Sequence, residues 1–234
     1  MQITPIKTRI FQENEDLFLF VLKYIKKIKE GSILVVTSKI VALAEGRTVV
    51  YENEKQKDAL IKKESDLLIK TKIVWLSFKD GTVMANAGID ESNARGKLIF
   101  LPKDSFTSAE ILRQKLIRHF NLKKLGILIT DSRLLPFRAG AVGMAVGYAG
   151  FKGVRNYIGK KDIFGRTLKM SSTDVADSLA TSAVLCMGEG KEQKPLVLIT
   201  DVPVEFMNKI NRKELKIDPK KDLYLPLFGS ILER

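Results

Sequence analysis

The chain has 234 residues and a mass of 26.3 kDa, room for one large domain or two small ones, and 45% of it is apolar, which excludes global disorder. Its net charge of +13 leaves nucleic acid, a membrane surface or small polyanions as partners. A single cysteine, Cys186, and a single histidine, His119, exclude an intramolecular disulfide, a cysteine-cluster metal site and a histidine-rich zinc site.

The basic residues are spread over Lys23 to Lys29, Lys160 and Lys161, and Asn211 to Lys221. Aromatic residues do not interleave with them as a stacking platform for bases requires, so nucleic acid is not the expected partner. The sequence holds no long apolar span, and MQITPIKTRIF has no signal-peptide pattern, so no membrane association and a cytoplasmic location are expected. His119, between Arg118 and Phe120 on an expected helix, reads as a surface or boundary residue.

In chain order, the apolar spacing of Leu17, Phe20, Val21, Tyr24, Ile25 and Ile28 predicts a helix from Asp16 to Lys29, stopped by Gly31. Ser32 to Thr37 reads as a strand, and Ser38 opens a short helical segment, Ile40 to Ala44. Strand, serine, helix suits a phosphate on helix amides; an ordinary N-cap is the default. Glu54 to Ile69 reads as a charged surface helix. Ile73 to Leu76 and Thr82 to Ala85 read as a hairpin about Asp80-Gly81, with Trp75 in the core. The segment Ala85 to Gly96, ANAGIDESNARG, is either an Asx-rich turn or a loop presenting Asp90 to a metal and Asn93 to a polar ligand. A strand, Lys97 to Leu101, follows. Thr107 and Glu110 then form a capping-box pattern for a helix that runs to Phe120.

The stretch Lys124 to Gly150 begins as a buried strand that stops on Thr130, Asp131 and Ser132, oxygen groups suited to a hard cation or a ligand. Gly140, Gly143, Gly147 and Gly150 announce close backbone approach, to another strand or to a ligand. Phe151 to Arg166 carries a basic segment. Ser171 to Met187 is the clearest helix, with Ser172 or Thr173 as N-cap and Gly188-Glu189-Gly190 as its stop. A carboxylate at a helix C-terminus is disfavoured, so Glu189 calls for an offset from Lys191 or a metal. GEGK is not a P-loop, because no GxxxxGK[ST] is present. Pro195 to Thr200 reads as a strand, and Val204 to Arg234 as a short helix with an apolar end, Leu223 to Ile231. No repeat or linker divides the chain; a boundary near Asp80 or near Gly150 fits equally well.

Asp90, Asp131 and Glu189 thus stand in loops at the ends of regular elements. With the Ser132 hydroxyl they make an oxygen-only candidate site for magnesium or manganese.

At these same places the sequence resembles the coenzyme factor-420 gamma-L-glutamyl ligases of deazaflavin biosynthesis. SKIVALAEGR, ANAGIDESN, the ITD of the central strand, GAVGMAVGYAG, KDIFGR and VADSLATSAVLCMGEG carry the resemblance, in order, from about Ile33 to Leu198. The resemblance implies an α+β fold of mixed sheets with flanking helices, as two intertwined subdomains in one ligase-like unit, and a homodimer. It implies transfer of L-glutamate, with GTP and Mg2+ or Mn2+, onto a carboxylate of the deazaflavin precursor through an acyl phosphate. The implied metal ligands are Asp90, Asp131, Ser132 and Glu189. Nucleotide contacts map onto Ser38, Asn93, Met187, Gly188, Glu189 and Gly190, and Arg138 matches a basic position that touches an anionic ligand. The chain departs from the family in three places: Leu43 replaces a lysine, Asp131-Ser132-Arg133-Leu134-Leu135-Pro136 replaces Asp-Thr-aromatic-Gly-Arg-Pro, and an N-terminal Gly-x-Pro turn is missing. Two alternatives stay open: glutamylation of another acid, for instance a folate-like one, and a basic nucleic-acid-binding protein on a degenerate ligase scaffold.

Overall fold

The computed structural model describes residues 1–227. Its frame is a five-stranded sheet in the order β1-β12-β2-β8-β9. The strands are β1 (Gln2–Ile6), β2 (Ser32–Thr37), β8 (Leu125–Leu134), β9 (Ala141–Ala149) and β12 (Leu196–Thr200). Every neighbouring pair is antiparallel except β2 and β8, which run parallel from Ser32↔Leu125 to Thr37↔Thr130. Alternation along each strand divides the apolar side chains between two faces. Leu34, Val36, Leu125, Ile127 and Ile129 pack against α1 (Leu17–Tyr24) and α4 (Ser105–Phe120). Ile33, Val35, Leu128, Val197 and Ile199 pack against α5 (Val175–Met187). Sheet strands buried on both faces explain why SILVVT and LGILIT read as continuous apolar runs.

The connection from β2 to β8 is a long excursion. It contains α2 (Ser38–Ala44), β3 (Thr48–Val50), α3 (Glu54–Lys63), β4 (Leu67–Lys70), β5 (Trp75–Lys79), β6 (Thr82–Ala85) and β7 (Lys97–Ile99) before α4. β3 pairs with β7, and β4-β5-β6 form a second small antiparallel sheet. Between β9 and α5, β10 (Val154–Asn156) pairs with β11 (Ser172–Asp174). This mixture of helices with parallel and antiparallel strands is an α+β fold.

Several expected boundaries move. α1 stops at Tyr24, because Ile25 turns extended and carries Ile25 and Ile28 into the core as non-helical chain. Leu67 to Ile69 leave the expected surface helix to pair with β5. α4 is capped by Asp104, whose carboxylate accepts from the Thr107 amide at 2.9 Å, rather than by a Thr107–Glu110 box. α5 is capped by Asp174, because Ser172 and Thr173 are taken into β11. From Val204 to Ile217 no helix forms, and Val204, Phe206, Ile210 and Leu215 pack singly against the α5 side of the core; a 3-10 turn, Pro219–Lys221, and helical residues from Leu225 to Leu227 follow. Residues 228 to 231 of the expected apolar end lie outside the described residues.

The central strand does not stop at Thr130. It runs on to Leu134 as one arm of a hairpin with β9, and a bulge between Ile129 and Thr130 leaves Val146 without an opposite residue. The bulge decides what the glycines of β9 do. A Cβ on Gly143 would lie 2.4 Å from the Ala180 carbonyl oxygen of α5, and one on Gly147 2.5 Å from Ser105 of α4. Four residues apart on a regular strand they would share a face; the extra residue turns them to opposite faces, and each seats a different helix. His119 is exposed on α4, as expected. Trp75 is half-buried, packs in the cluster around Ile61 and Leu98, and donates its indole N–H to Asp58 at 2.7 Å. No helix among the described residues is long and apolar enough to cross a membrane.

Candidate active site

β2 ends at Thr37, but β8 continues, so from Asp131 onward β8 is paired with β9 on one side and with no strand on the other. That gap is the floor of a cleft of about 1100 Å³ at the carboxyl end of the only parallel pair in the five-stranded sheet. Ser38, Asp90, Asn93, Asp131, Ser132, Met187, Gly188, Glu189 and Gly190 all line it, arriving from four separate stretches of chain.

Ser38 begins α2, yet α2 has no side-chain cap. The Ser38 hydroxyl instead donates to Asp131 Oδ1 at 3.0 Å and ties the two parallel strands together at their ends. The expectation of an ordinary serine cap therefore fails here. Asp131 is also ion-paired with Arg133, two residues on along β8 and on the same strand face. Ser132 points to the opposite face and donates to Glu189 Oε1 at 2.6 Å, which joins the strand to the loop after α5. That hydroxyl supplies a partner for a carboxylate that a helix C-terminus otherwise disfavours.

The loop bearing Asp90 is held rigidly. Asn86, Ala87 and Gly88 all have positive φ, and the buried Ser77 hydroxyl accepts from the Ala87 amide at 2.7 Å. Asp90 forms a two-way backbone bridge with Ile99, which aims its side chain at the cleft. Its carboxylate accepts from Lys39 Nζ at 2.8 Å, the Ser92 amide at 2.7 Å and the Ser92 hydroxyl at 2.8 Å. Burial pushes this carboxyl up, but the Lys39 ammonium and the Ser92 donors outweigh it and hold the group below the usual range. Asn93, in left-handed conformation, donates to the Gly190 carbonyl at 3.3 Å and so couples this loop to the Met187–Gly190 segment. Met187 is buried in the core and forms part of the wall. Gly188 has φ 79°, and Glu192 folds back to accept from the Gly190 amide at 2.8 Å.

The cleft does not gather every residue expected at the site. Arg138 sits exposed in the turn between β8 and β9 and is not a cleft-lining residue. Asp90, Asp131 and Glu189 share one cleft, yet among the described residues no three His, Cys, Asp or Glu side chains cluster closely enough to hold a metal ion. Each carboxylate has a protein partner of its own: Lys39, Arg133 and Ser132. Leu43 also lines the cleft while packing against Ala42, Ala94 and Ile99. Sequence reasoning missed Lys39 and Arg133; the signal for Arg133 was its two-residue offset from Asp131 on a strand.

A sequence model described as "F420-0:Gamma-glutamyl ligase" matches residues 5–201. The chain belongs to that family. Among its relatives is a protein of Archaeoglobus fulgidus named "Coenzyme F420:L-glutamate ligase", 33% identical, with 92% of this chain and 94% of the relative covered. A protein of the same name from Methanocaldococcus jannaschii is 32% identical over 95% of each chain. Another, from Methanothermobacter thermautotrophicus, is 34% identical over 74% of this chain and 76% of its own length. Family membership bears out the resemblance carried by ANAGIDESN and MGEG. Both motifs of this gamma-glutamyl ligase family member meet in the cleft, through Asn93 and Gly190.

Proposed function

We propose that this protein joins L-glutamate to a carboxylate of the deazaflavin coenzyme precursor, at the expense of GTP, in the cleft between β8, the Asp90 loop and the Met187–Gly190 segment. The observation that carries this reading is the convergence of the family's motifs on that one cleft. In the reaction, an acceptor carboxylate oxygen bonds to the γ-phosphorus as the bond to the departing GDP oxygen breaks. The glutamate nitrogen then bonds to the acyl carbon, the carbon–oxygen bond to phosphate breaks, and the two protons that the ammonium nitrogen loses pass to phosphate and water.

Such chemistry is mostly positioning and neutralisation of charge. The Ser38 hydroxyl, the Asn93 amide and the backbone of Gly188 and Gly190 hold the nucleotide. The fixed Asp90 loop and the Ser38–Asp131 bond set the distance between the two walls. Asp90, Asp131, Ser132 and Glu189 offer only oxygen, the donor chemistry of a hard divalent cation, although among the described residues no three acidic side chains stand close enough to hold one by themselves. Those residues would hold Mg2+ or Mn2+, which supplies Lewis-acid neutralisation of phosphate oxygens. The enzyme acts as a homodimer in this reading, for which the exposed Leu134, Leu135 and Phe137 of the β8–β9 hairpin offer an apolar contact.

The test is incubation with GTP, manganese, L-glutamate and a set of acceptor acids that includes the deazaflavin precursor and a folate, followed by mass spectrometry. A glutamate mass increment on the deazaflavin precursor is the expected result. An increment on the folate alone moves the activity to another acceptor, and no increment on any acid, with salt-sensitive RNA binding, replaces the ligase reading.

A further inference from the structure

We propose that Arg133 is the residue that grips the phosphates of the nucleotide, a role that rests on the nucleotide-dependent reading above. Arg133 is 7% exposed, and the only other buried cation among the described residues is Arg113. The two are used differently. Arg113 spends its guanidinium on the Leu125 carbonyl, Glu110 and Asn208. Both bonds of Arg133 run through Nη1, to the Asp131 carboxylate and to the Ser132 carbonyl at 3.4 Å. No buried side-chain nitrogen or oxygen among the described residues is without a partner, so Nε and Nη2 of Arg133 are not fully shut off from solvent, and Arg133 is one of the residues that line the cleft.

Taking a guanidinium out of water is strongly unfavourable unless its partners compensate. Among the described residues the Asp131 carboxylate, itself shared with Ser38, is the only acidic hydrogen-bond partner of Arg133, and Asp177 acts on it through space. A buried planar fork with free donors matches the bidentate geometry of a phosphate oxygen pair. Of the other cations that line the cleft, Arg95 and Lys191 are exposed and Lys194 is half-buried, and three are engaged elsewhere. Lys39 directs three bonds to Asp90 and Ser92, Lys97 pairs with Glu13, and Arg9 pairs with Glu15. Arg133 alone combines burial, open donors and a place beside Asp131.

Calorimetry with GTP and Mn2+ on wild type, Arg133→Lys and Arg133→Met tests this, with Mn2+ binding alone followed by electron paramagnetic resonance. Arg133→Met is expected to weaken GTP binding by about tenfold or more, and Arg133→Lys, which keeps the charge but not the fork, by a smaller factor. Mn2+ affinity alone is expected to hold or rise, since a positive neighbour of Asp131 is gone. Unchanged GTP binding in both variants overturns the proposal. So does a parallel loss of Mn2+ and GTP affinity, which makes Arg133 a positioning residue for Asp131. Should Arg133→Met not fold, Arg133→Lys decides: wild-type GTP affinity there means the fork is not used. Wild type that binds no nucleotide overturns the ligase reading and this one together, a result distinct from the variant outcomes.

Discussion

The Ser132 hydroxyl donates to the Glu189 carboxylate at 2.6 Å, closing one side of the cleft between residues 57 positions apart in the chain. Removing it with Ser132→Ala takes a hydrogen bond from an exposed carboxylate that water can re-solvate. Stability is expected to change by about 1 kcal/mol or less, while glutamate ligation falls by roughly tenfold as Glu189 loses its fixed orientation. Thermal melts and the ligation assay, run side by side, check the split; a large loss of stability with unaltered turnover contradicts it.

Asp131→Asn is expected to abolish turnover without unfolding the chain. Asparagine keeps one oxygen for Ser38, so the bond between the two parallel strands survives. Losing the charge opposite Arg133 costs about 1–3 kcal/mol, less than the stability of a typical domain. Circular dichroism and the ligation assay decide it, and full turnover by this variant removes Asp131 from the chemistry.

Gly143→Ala is expected to destabilise the protein by about 1–3 kcal/mol, because the new methyl meets backbone, the Ala180 carbonyl oxygen at 2.4 Å, and Val184 Cγ2 at 2.6 Å. α5 must shift from β9, and Gly188 to Gly190 at its end shift with it. Denaturant melts measure the cost, and Gly140→Ala, with nothing within 4 Å but a φ of 87°, shows what backbone strain alone costs without crowding.

Asp177 gives a pH prediction. Burial first, then its neighbour Asp174, raise its carboxyl to about 7, against a donated Ala145 amide and the Arg133 charge that lower it. The folded state then holds a proton that the unfolded state releases at about 4, so stability falls as pH rises between those values. Asp177→Asn, which keeps the oxygen that accepts from Ala145, is expected to melt roughly 2–4 °C above wild type at pH 8, the worth of about 1 kcal/mol in a chain this size. The gap closes toward pH 4. An equal gap at both pH values shows that ionisation of Asp177 is not the cause.

The oxygen-bearing residues of the cleft were legible because each follows a plain apolar pattern: Ser38 after SILVVT, Asp131 after LGILIT, Glu189 after the Ser171–Met187 periodicity. Arg133 and Lys39 were not. Their importance depends on where β8 outlasts β2 and on which strand face Asp131 takes, and those are properties of pairing between distant segments. The caps at Asp104 and Asp174 were missed for a related reason. The competing Thr107 and Ser172 are good local candidates, but Thr107 Oγ1 itself donates to Asp104 at 2.6 Å and Ser172 is claimed by β11. The opposed facing of Gly143 and Gly147 needs the bulge at Val146, which no periodicity within β9 reveals.

Asp90 reaches the cleft on the excursion between β2 and β8, whereas Asp131 belongs to the sheet itself. Their separation is therefore an adjustable dimension rather than one dictated by ladder spacing. The small contact of Ala42 and Leu43 with Ala94 and Ile99 acts as its shim: thickening that seam by a methyl group would widen the cleft without altering any residue of the proposed site.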